Sequence, residues 1–256
     1  MRRPRVVTYS LASVDGRLAP APGVVLLEGD PRWEAITRGI GDPYAWVLRT
    51  HDPQALLEGS GSFVRESAAD TDGGAVVGPA AEPFLPARLL QAPGRRWFVV
   101  VDGRGRVDLR FAEWPDEAWA GWHALVLTSR AASAGHLARL RERGIPYVVV
   151  GERRVDLPAA LGLLKERLGV STLVCTGGGR LGGALLRAGV VDEVDVEVLP
   201  ALIGGRGTPA LFDAPPLQAG EWPTSLELLS SENVGGRLRL RYRVLGTAAP
   251  EADEAG

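Results

Sequence analysis

Short apolar runs alternate with segments of helical spacing along most of the chain. The runs at 5–12 (RVVTYSLA), 96–102 (RWFVVVD) and 172–175 (TLVC) are typical of buried parallel strands, which are almost continuously hydrophobic. Further strands are predicted at 54–57, 124–128 and 147–151, and one more follows the helix that starts near residue 179. Strands that alternate with helices in this way predict a parallel sheet covered by helices on both faces.

Helix starts and stops are marked by residues that cap helices. Asp30-Pro31 and Asp42-Pro43 each place a capping aspartate before a proline at the first helical position, so helices are predicted at 31–38 and 43–50. A third helix is predicted at 134–143, because Gly144 follows it as a stop signal. A fourth, at 157–168, carries leucines at 157, 161, 164 and 168 and therefore presents one apolar face.

The pattern changes near the C-terminus. Strands at 226–230 and 237–244 follow one another without a helix, and the second (RLRLRYRV) alternates as a half-exposed antiparallel strand does. The predicted fold is α/β, with a mainly parallel central sheet flanked by helices and an antiparallel C-terminal hairpin at one edge. We expect one domain over 1–246 and a flexible acidic tail over 247–256. Residues 66–86, rich in Gly, Ala, Asp and Pro, are predicted to form a loop or an insertion.

Composition and charge narrow the classes of function. The 256 residues are 45% hydrophobic and 23% charged, and the net charge of −2 lacks the basic excess of a nucleic-acid-binding domain. No apolar run approaches the ~20 residues of a membrane helix, and the N-terminus lacks the apolar core of a signal peptide. We therefore expect a cytoplasmic protein without nucleic-acid or membrane partners. Cys175, the only cysteine, excludes an intrachain disulfide and is predicted to be buried, and no metal site is predicted.

A glycine-rich segment gives the most specific chemical signal. Gly177, Gly178 and Gly179 follow a strand and open a helix, an arrangement that presents backbone N–H groups and the positive end of the helix dipole. Three successive glycines exceed what close packing needs, so we interpret them as a phosphate-binding loop. Gly177, Gly179 and Gly182 also fit the G-x-G-x-x-G dinucleotide fingerprint. That fingerprint belongs in the first βαβ unit of a Rossmann fold, whereas this one comes late in the chain, which makes a Rossmann oxidoreductase the weaker interpretation.

Four passages resemble the pyrimidine reductases of riboflavin biosynthesis, which occur alone or as the C-terminal half of a bifunctional deaminase–reductase. They are S-V-D-G at 13–16, A-L-L-E-G-S-G-S at 55–62, V-V-V-D-G-R at 99–104, and GGGRLGGALLRAGVVDEVDVEVLPALIGG at 177–205. The last is similar, nearly residue for residue, to the family's G-G-G-x-L-x-x-x-L-L-x-A-G-L-V-D-E-L and A-P-x-L-L-G-G. The resemblance spans almost the whole chain and implies a single-domain, dihydrofolate-reductase-like fold.

The resemblance also implies that the chain binds NADPH. The 177–179 loop and the start of its helix would hold the pyrophosphate, and the turn after Asp102 would meet the adenosine 2′-phosphate. Arg104 and Arg106 are candidates there, since a guanidinium forks well onto phosphate. The predicted cofactor-binding residues are Gly177, Gly178, Gly179, Arg180, Leu181, Ser60, Gly61, Asp102, Arg104 and Ser129.

The implied chemistry is hydride transfer from NADPH to C1′ of a ribosylaminopyrimidine 5′-phosphate, which gives a ribitylamino product. Asp15 is the candidate catalytic residue, as a proton relay or a substrate anchor, although an Asp-Gly pair also forms turns without any catalytic role. Ser13, Thr176 and Gly205 are the predicted substrate-binding residues. The family forms homodimers, so a homodimer is expected.

Three departures from the family lie on the substrate side. Thr176 stands where the family usually carries Glu, and Tyr9 stands where it often carries Lys. The segment 63–75 (FVRESAADTDGGA) lacks the family's acidic D-D-P-x-L-T-x-R sequence, with Asp70 and Asp72 as a candidate remnant. The expected cofactor side is intact, so the second substrate is the part of the prediction that these departures affect.

Aromatic residues near the expected substrate side allow two interpretations. Trp33, Tyr44 and Trp46 lie on the two N-terminal helices, where they suit either stacking on a planar heterocycle or ordinary core packing. Together with the departures, this leaves two alternatives to the leading function. One is a reductase of the same fold that acts on a different, pterin-like heterocycle, and the other is a non-catalytic nucleotide-binding homologue.

Overall fold

Strands and helices alternate along the chain up to residue 199, and two strands follow without a helix. The computed structural model describes residues 2–64, 82–91, 94–113 and 117–247. The strands are β1 Arg5–Ser13, β2 Ala55–Gly59, β3 Arg96–Val101, β4 Trp122–Thr128, β5 Tyr147–Val149, β6 Thr172–Cys175, β7 Glu193–Leu199, β8 Thr224–Val234 and β9 Arg237–Thr247. The helices are α1 Pro31–Thr37, α2 Pro43–His51, α3 Ala87–Leu90, α4 Ala134–Glu142, α5 Leu157–Leu168 and α6 Gly179–Arg187.

One sheet contains these strands, in the order β5-β4-β3-β2-β6-β1-β7-β9-β8. From β5 to β7 all neighbouring strands are parallel, and β9 pairs antiparallel with both β7 and β8. The predicted fold class, a mainly parallel sheet with an antiparallel C-terminal hairpin at one edge, is confirmed. One strand end differs from the prediction: β2 runs to Gly59 and not to residue 57, so Glu58 belongs to the sheet.

Capping side chains begin the helices where the sequence predicts. Asp30 accepts a hydrogen bond from the backbone N–H of Arg32 (2.9 Å), and Asp42 accepts one from that of Tyr44 (2.8 Å). Asp156 caps α5 in the same manner. These caps set the first residue of each helix, and in α2 they place Tyr44 in the first turn.

Two apolar layers cover the sheet, one on each face. Leucines of α5 and α6 pack on the face that includes Leu57, and residues of α2 and α4 pack on the face that includes Leu56 and Val174. Successive strand residues point to opposite faces. Glu58 and Thr176, two residues beyond Leu56 and Val174, therefore lie on the α2 side of the sheet.

In β9 the two arginines nearest the hairpin turn are largely buried. Arg237 and Arg239 both pair with the buried carboxylate of Glu197 on β7, and Arg239 also lies over the ring of Trp46 on α2 (4.4 Å). Leu238, on the other face, is exposed. The predicted alternation of β9 is therefore present. Arg237 and Arg239 point inward on one face, and on the other face Tyr242 and Val244 pack against the core while Leu238 is open to solvent.

Two predicted segments fall mainly outside the described residues. Of the acidic tail at 247–256, only Thr247 is described, and it is the last residue of β9. Of the loop at 66–86, only 82–86 is described, where the backbone of Phe84 bridges to Tyr147. Asp70 and Asp72 also lie outside, and the extent of the domain over 1–246 stays a prediction.

Candidate functional site

The predicted site residues come together at the carboxyl edge of the parallel strands. Parallel strands all end at the same edge, and ligands of open α/β sheets bind there. The turn after β6 lies at the centre, between the ends of β2 and β1. Across the edge the residues are Ser129 after β4, Asp102 and Arg104 after β3, Ser60 and Gly61 after β2, 176–181 after β6, Ser13 and Asp15 at the end of β1, and Gly205 after β7.

Close packing requires two of the three glycines in the central loop. A Cβ on Gly177 would come 2.9 Å from the backbone nitrogen of Gly59, and one on Gly179 would collide with the carbonyl oxygen of Ala210. The expectation that three glycines exceed the needs of packing is therefore wrong for Gly177 and Gly179. Gly178 differs, because it is exposed and a Cβ there would meet nothing within 4 Å.

The start of α6 has the properties of an anion-binding site. Gly178 is the N-cap and supplies no side chain to the N–H groups of the first turn. Gly178 and Arg180 are both exposed, so an anion has access to the helix N-terminus and to a guanidinium beside it. Leu181 is buried and lies against Gly59. The loop is thus packed against β2 on its inner side and accessible on its outer side.

Asp102 and Ser129 shape the turn that follows β3. Asp102 is buried, and its Oδ2 accepts a hydrogen bond from the backbone N–H of Val107 (2.7 Å). Its carbonyl oxygen accepts one from the hydroxyl of Thr128 (2.8 Å). The hydroxyl of Ser129, also buried, donates to the carbonyl of Gly103 (2.6 Å). Both side chains therefore fix the backbone of the turn from its inner side.

The two arginines of this turn occupy different positions. Arg104 is exposed, whereas Arg106 is buried and its guanidinium donates to the hydroxyl of Ser60 (3.4 Å). This bond joins the turn after β3 to the turn after β2. Arg104 is the arginine accessible to a ligand phosphate, and Arg106 is the one that holds the two turns together.

Asp15 connects the turn after β1 to the loop after β7. Its carboxylate accepts hydrogen bonds from the hydroxyl of Ser13 (2.6 Å) and from the backbone N–H groups of Ile203 (3.1 Å) and Gly204 (2.7 Å). These bonds, that of Ser13 foremost, lower the pKa of Asp15 well below its usual range. A carboxylate held ionised in this way accepts hydrogen bonds but does not supply a proton near neutral pH. Gly205 follows at φ 84°, a backbone conformation that favours glycine.

A buried carboxyl group outside the predicted set lies beside Thr176. Glu58 is 5% exposed, its Oε1 is 2.5 Å from Thr176 Oγ1, and its Oε2 accepts a hydrogen bond from the hydroxyl of Ser62 (2.7 Å). Tyr44 lies beside both residues, and the pKa of its own hydroxyl is raised, chiefly by burial. Burial outweighs these bonds and raises the pKa of Glu58. We call Glu58, Thr176, Ser62 and Tyr44 the hydroxyl–carboxyl cluster.

The aromatic rings of α2 make contacts within the protein. The ring of Trp46 lies 5.6 Å from that of Tyr9 and beneath the guanidinium of Arg239. The ring of Tyr44 meets that of Trp119 edge-on at 5.2 Å. These contacts favour core packing over ligand stacking for Tyr44 and Trp46.

The structure also bears on a reactive thiol, a membrane span and a metal site. Cys175 is buried, as predicted, and burial raises the pKa of its thiol to about 12. Across 2–64, 82–91, 94–113 and 117–247, no helix combines the length and the apolar character needed to cross a bilayer. In the same ranges, no three His, Cys, Asp or Glu residues are grouped so that they could hold a metal ion.

A comparison with protein families gives a match that covers the whole of this edge. The profile described as the RibD C-terminal domain matches residues 4–240. The chain belongs to the RibD C-terminal domain family. Its glycine loop is therefore not the loop of a Rossmann oxidoreductase, the alternative that the fingerprint had raised.

Several relatives of the chain are named as reductases. A Methanothermobacter thermautotrophicus protein named 2,5-diamino-6-ribosylamino-4(3H)-pyrimidinone 5′-phosphate reductase is 30% identical over 249 residues, which cover 95% of this chain and 100% of that protein. An Aquifex aeolicus protein of the same name is 27% identical over 211 residues, or 82% and 83% of the two chains. The riboflavin biosynthesis protein RibD of Bacillus amyloliquefaciens is 24% identical over 99% of this chain, which spans 59% of that protein.

Solved structures share the fold of the chain. A pyrimidine reductase-like protein from Corynebacterium diphtheriae superposes with a TM-score of 0.62 at 17% identity, over 94% of this chain and 92% of that one. RibD of Acinetobacter baumannii superposes with a TM-score of 0.58 at 20% identity, over 94% and 58%. These likenesses support the fold.

Glu58 is a candidate site residue that the sequence motifs did not indicate. The residue was visible in the sequence as a single acid inside the otherwise apolar run 55–59 (ALLEG). Buried charged side chains are rare and need partners, so an acid on an inward position of a central strand is itself a signal. Its partner Thr176 follows β6, which the structure places next to β2.

Proposed function

We propose that the chain is an NADPH-dependent reductase that transfers a hydride to C1′ of a ribosylaminopyrimidine 5′-phosphate and releases the ribitylamino product. The observation that carries the proposal is the similarity to the Methanothermobacter thermautotrophicus reductase, which extends over 95% of this chain and 100% of that protein. The carboxyl edge supplies a place for both ligands, with the glycine loop at its centre and the carboxyl groups of Glu58 and Asp15 on either side of that loop.

The centre of the edge and the turn after β3 fit a pyridine nucleotide, which supplies the hydride when bound. We assign the pyrophosphate to the outer side of the 177–179 loop, where Gly178 is exposed and α6 lacks a side-chain cap. Ser60 and Gly61 flank this loop from β2. Arg104 suits the 2′-phosphate because it is exposed in a turn that buried side chains hold in place.

The substrate is assigned to the ends of β6, β1 and β7. Ser13, Thr176 and Gly205 lie there, together with Asp15, which we assign as an anchor because an ionised carboxylate accepts hydrogen bonds from sugar hydroxyls. Thr176 supports a second candidate, a reductase of the same fold for a pterin-like heterocycle. A threonine cannot offer a ligand the charge that a glutamate would at that position.

Nucleotide binding is the first test, and it separates NADPH from NADH. Titration of the purified protein, followed by nicotinamide fluorescence, is expected to show tighter binding of NADPH. Arg104→Ala should weaken NADPH binding about tenfold and leave NADH binding unchanged, since only NADPH carries the 2′-phosphate. Arg110→Ala, at an exposed arginine outside the turn, is the matched control and should change neither affinity. If neither nucleotide binds, the proposed function is wrong.

Turnover is the second test. With the ribosylaminopyrimidine 5′-phosphate as substrate, we expect loss of NADPH absorbance and a product two hydrogens heavier by mass spectrometry. Binding of NADPH without oxidation by this compound would favour the alternatives, and a panel of pterins then separates them. Oxidation with a pterin supports the second candidate, whereas no oxidation with any member supports a non-catalytic nucleotide-binding homologue.

We also propose that the protein is a cytoplasmic homodimer with one dihydrofolate-reductase-like domain over 1–246. Support for the dimer comes from the hairpin, where Leu226, Leu228 and Leu238 are exposed. Large exposed apolar side chains that share a face mark a surface that another protein covers. The family's homodimers make a second copy of this chain the expected partner.

A further inference from the structure

The hydroxyl–carboxyl cluster has a fixed position beside the glycine loop. Glu58 directly precedes Gly59, and Thr176 directly precedes Gly177. The backbone N–H groups of Thr176 and Gly177 both donate to the carbonyl of Leu57, at 3.0 and 3.2 Å. The strand ends that carry the carboxyl and the hydroxyl are therefore joined, and the cluster sits where the proposed nucleotide and substrate regions meet.

Within the described part of the chain, the groups that contact Glu58 are uncharged. Ser62 and Thr176 reach it from the turns after β2 and β6, and Tyr44 lies beside it on α2. Cys175, next to it on β6, points to the opposite face of the sheet. Among the described residues no salt bridge includes Glu58. Burial without a cation keeps a carboxyl group protonated to a higher pH than in water.

We propose that Glu58 stores the proton used in the reduction and that the hydroxyl of Thr176 passes it to the substrate nitrogen. The inference rests on the proposed function. Glu58 is buried, whereas Thr176, which bonds to it, is half-buried, so Thr176 is the member of the pair that a substrate can reach. A hydroxyl both donates and accepts, and its short contact with Oε1 provides the path. Ser62 holds the other carboxyl oxygen in place.

The reduction consumes one proton for each hydride that is transferred. In the ring-opened substrate a C1′=N double bond joins the sugar to the pyrimidine. The hydride adds to C1′, the π electrons move to the nitrogen, and the nitrogen takes the hydroxyl proton of Thr176 while Thr176 takes the proton of Glu58. The double bond becomes a single C–N bond, the pyridine nucleotide is oxidised, and Glu58 remains as a carboxylate that solvent protonates after the product leaves.

Glu58→Gln removes the proton and keeps the shape of the side chain. We expect kcat to fall about 10²-fold or more, with NADPH affinity unchanged. The alkaline limb of the kcat–pH profile should disappear, because a general acid must be protonated to act and an amide does not titrate. Thr176→Val should cause a similar loss, and Thr176→Ser should recover most of kcat. Glu166→Gln, at an exposed acid on α5, is the control and should match the wild type.

Two further measurements separate proton storage from a structural role. The Ser62 bond lowers the pKa of Glu58, so Ser62→Ala should move the alkaline limb to higher pH. The infrared difference spectrum between wild type and Glu58→Gln should show the carbonyl band of a protonated carboxyl group near neutral pH, and this readout needs no turnover. Wild-type protein that binds NADPH but reduces no substrate contradicts the proposed function, while the band still reports the state of Glu58. Absence of the band, or a Glu58→Gln variant with unchanged kcat and pH profile, overturns the proton-storage role.

Discussion

Asp15 and Glu58 show how local surroundings separate two carboxyl groups at one edge of the sheet. Asp15 is exposed and accepts hydrogen bonds from backbone N–H groups, which lower its pKa. Glu58 is buried among hydroxyl groups, and burial raises its pKa. Carboxyl groups with opposite pKa shifts suit opposite tasks, which here are those of the proposed anchor and the proposed acid. The S-V-D-G motif after the first strand indicated Asp15 as a site residue. Thr176, where the family carries Glu, is bonded to a carboxyl group that comes from the neighbouring strand.

Replacement of Asp15 should change how stability depends on pH. The folded-state pKa of Asp15 lies below its ordinary value of 3.8. The ionised carboxylate therefore stabilises the folded state above that pH, and this stabilisation is lost as the pH falls through the folded-state pKa. Asp15→Asn should therefore lower the melting temperature at neutral pH, and the difference from wild type should shrink in the acid range. Circular dichroism melts over a pH series test this, with Glu166→Gln as the control. A difference that stays constant with pH would contradict the role given to the carboxylate.

At the scale of single elements, local signals were predictable and packing partners were not. The caps of α1 and α2 appear in the sequence because capping residue and helix are adjacent. The glycines of α6 were harder to interpret, because the segment that packs on them, 210–214, comes about thirty residues later. A Cβ on Gly183 would come 2.6 Å from the carbonyl oxygen of Asp213. Most of the glycines in this stretch therefore serve helix packing, and Gly178 is the one that leaves the loop open.

Alanine substitutions should separate these two uses of glycine. Gly183→Ala is expected to destabilise the protein by about 1–3 kcal/mol through overpacking, or several degrees in melting temperature. Gly178→Ala should leave the melting temperature within about 1–2 °C, because its Cβ meets nothing within 4 Å. It should nevertheless weaken NADPH binding, since a methyl group would stand on the outer side of the loop. Thermal melts and the fluorescence titration measure the two effects. Equal effects of the two variants on both quantities would refute the distinction.

For the whole molecule, the alternation of strands and helices was enough to predict which edge of the sheet carries the candidate site. Alternation predicts parallel strands, and parallel strands end together. The order of the strands could not be predicted in the same way, because an almost continuously apolar strand carries no sequence pattern that identifies its neighbours in the sheet. β6 inserts between β2 and β1, and this insertion brings Thr176 beside Glu58. The contact that supports the proton path thus depends on topology that periodicity alone does not contain.

The C-terminal hairpin presents an exposed apolar face, and this is the surface at which we expect a homodimer to form. Leu226, Leu228 and Leu238 are 42%, 54% and 44% exposed. Leu226 and Leu228 pair with Val244 and Tyr242, and paired residues point to the same side of a sheet. β8 is also an edge strand of 11 residues, and a long, open edge of this kind favours association.

Leu228→Arg should therefore convert the expected homodimer into a monomer, because a guanidinium would have to be buried at the interface without a partner. Sedimentation velocity and light scattering measure the mass at micromolar concentration, and circular dichroism shows whether the variant is still folded. Glu227→Gln changes the neighbouring side chain on the opposite face of β8 and should leave the mass unchanged. A monomeric wild type, or a Leu228→Arg variant that stays dimeric, would exclude this face as the interface. NADPH binding by the folded monomer would further show that the nucleotide region at the carboxyl edge is complete within one chain.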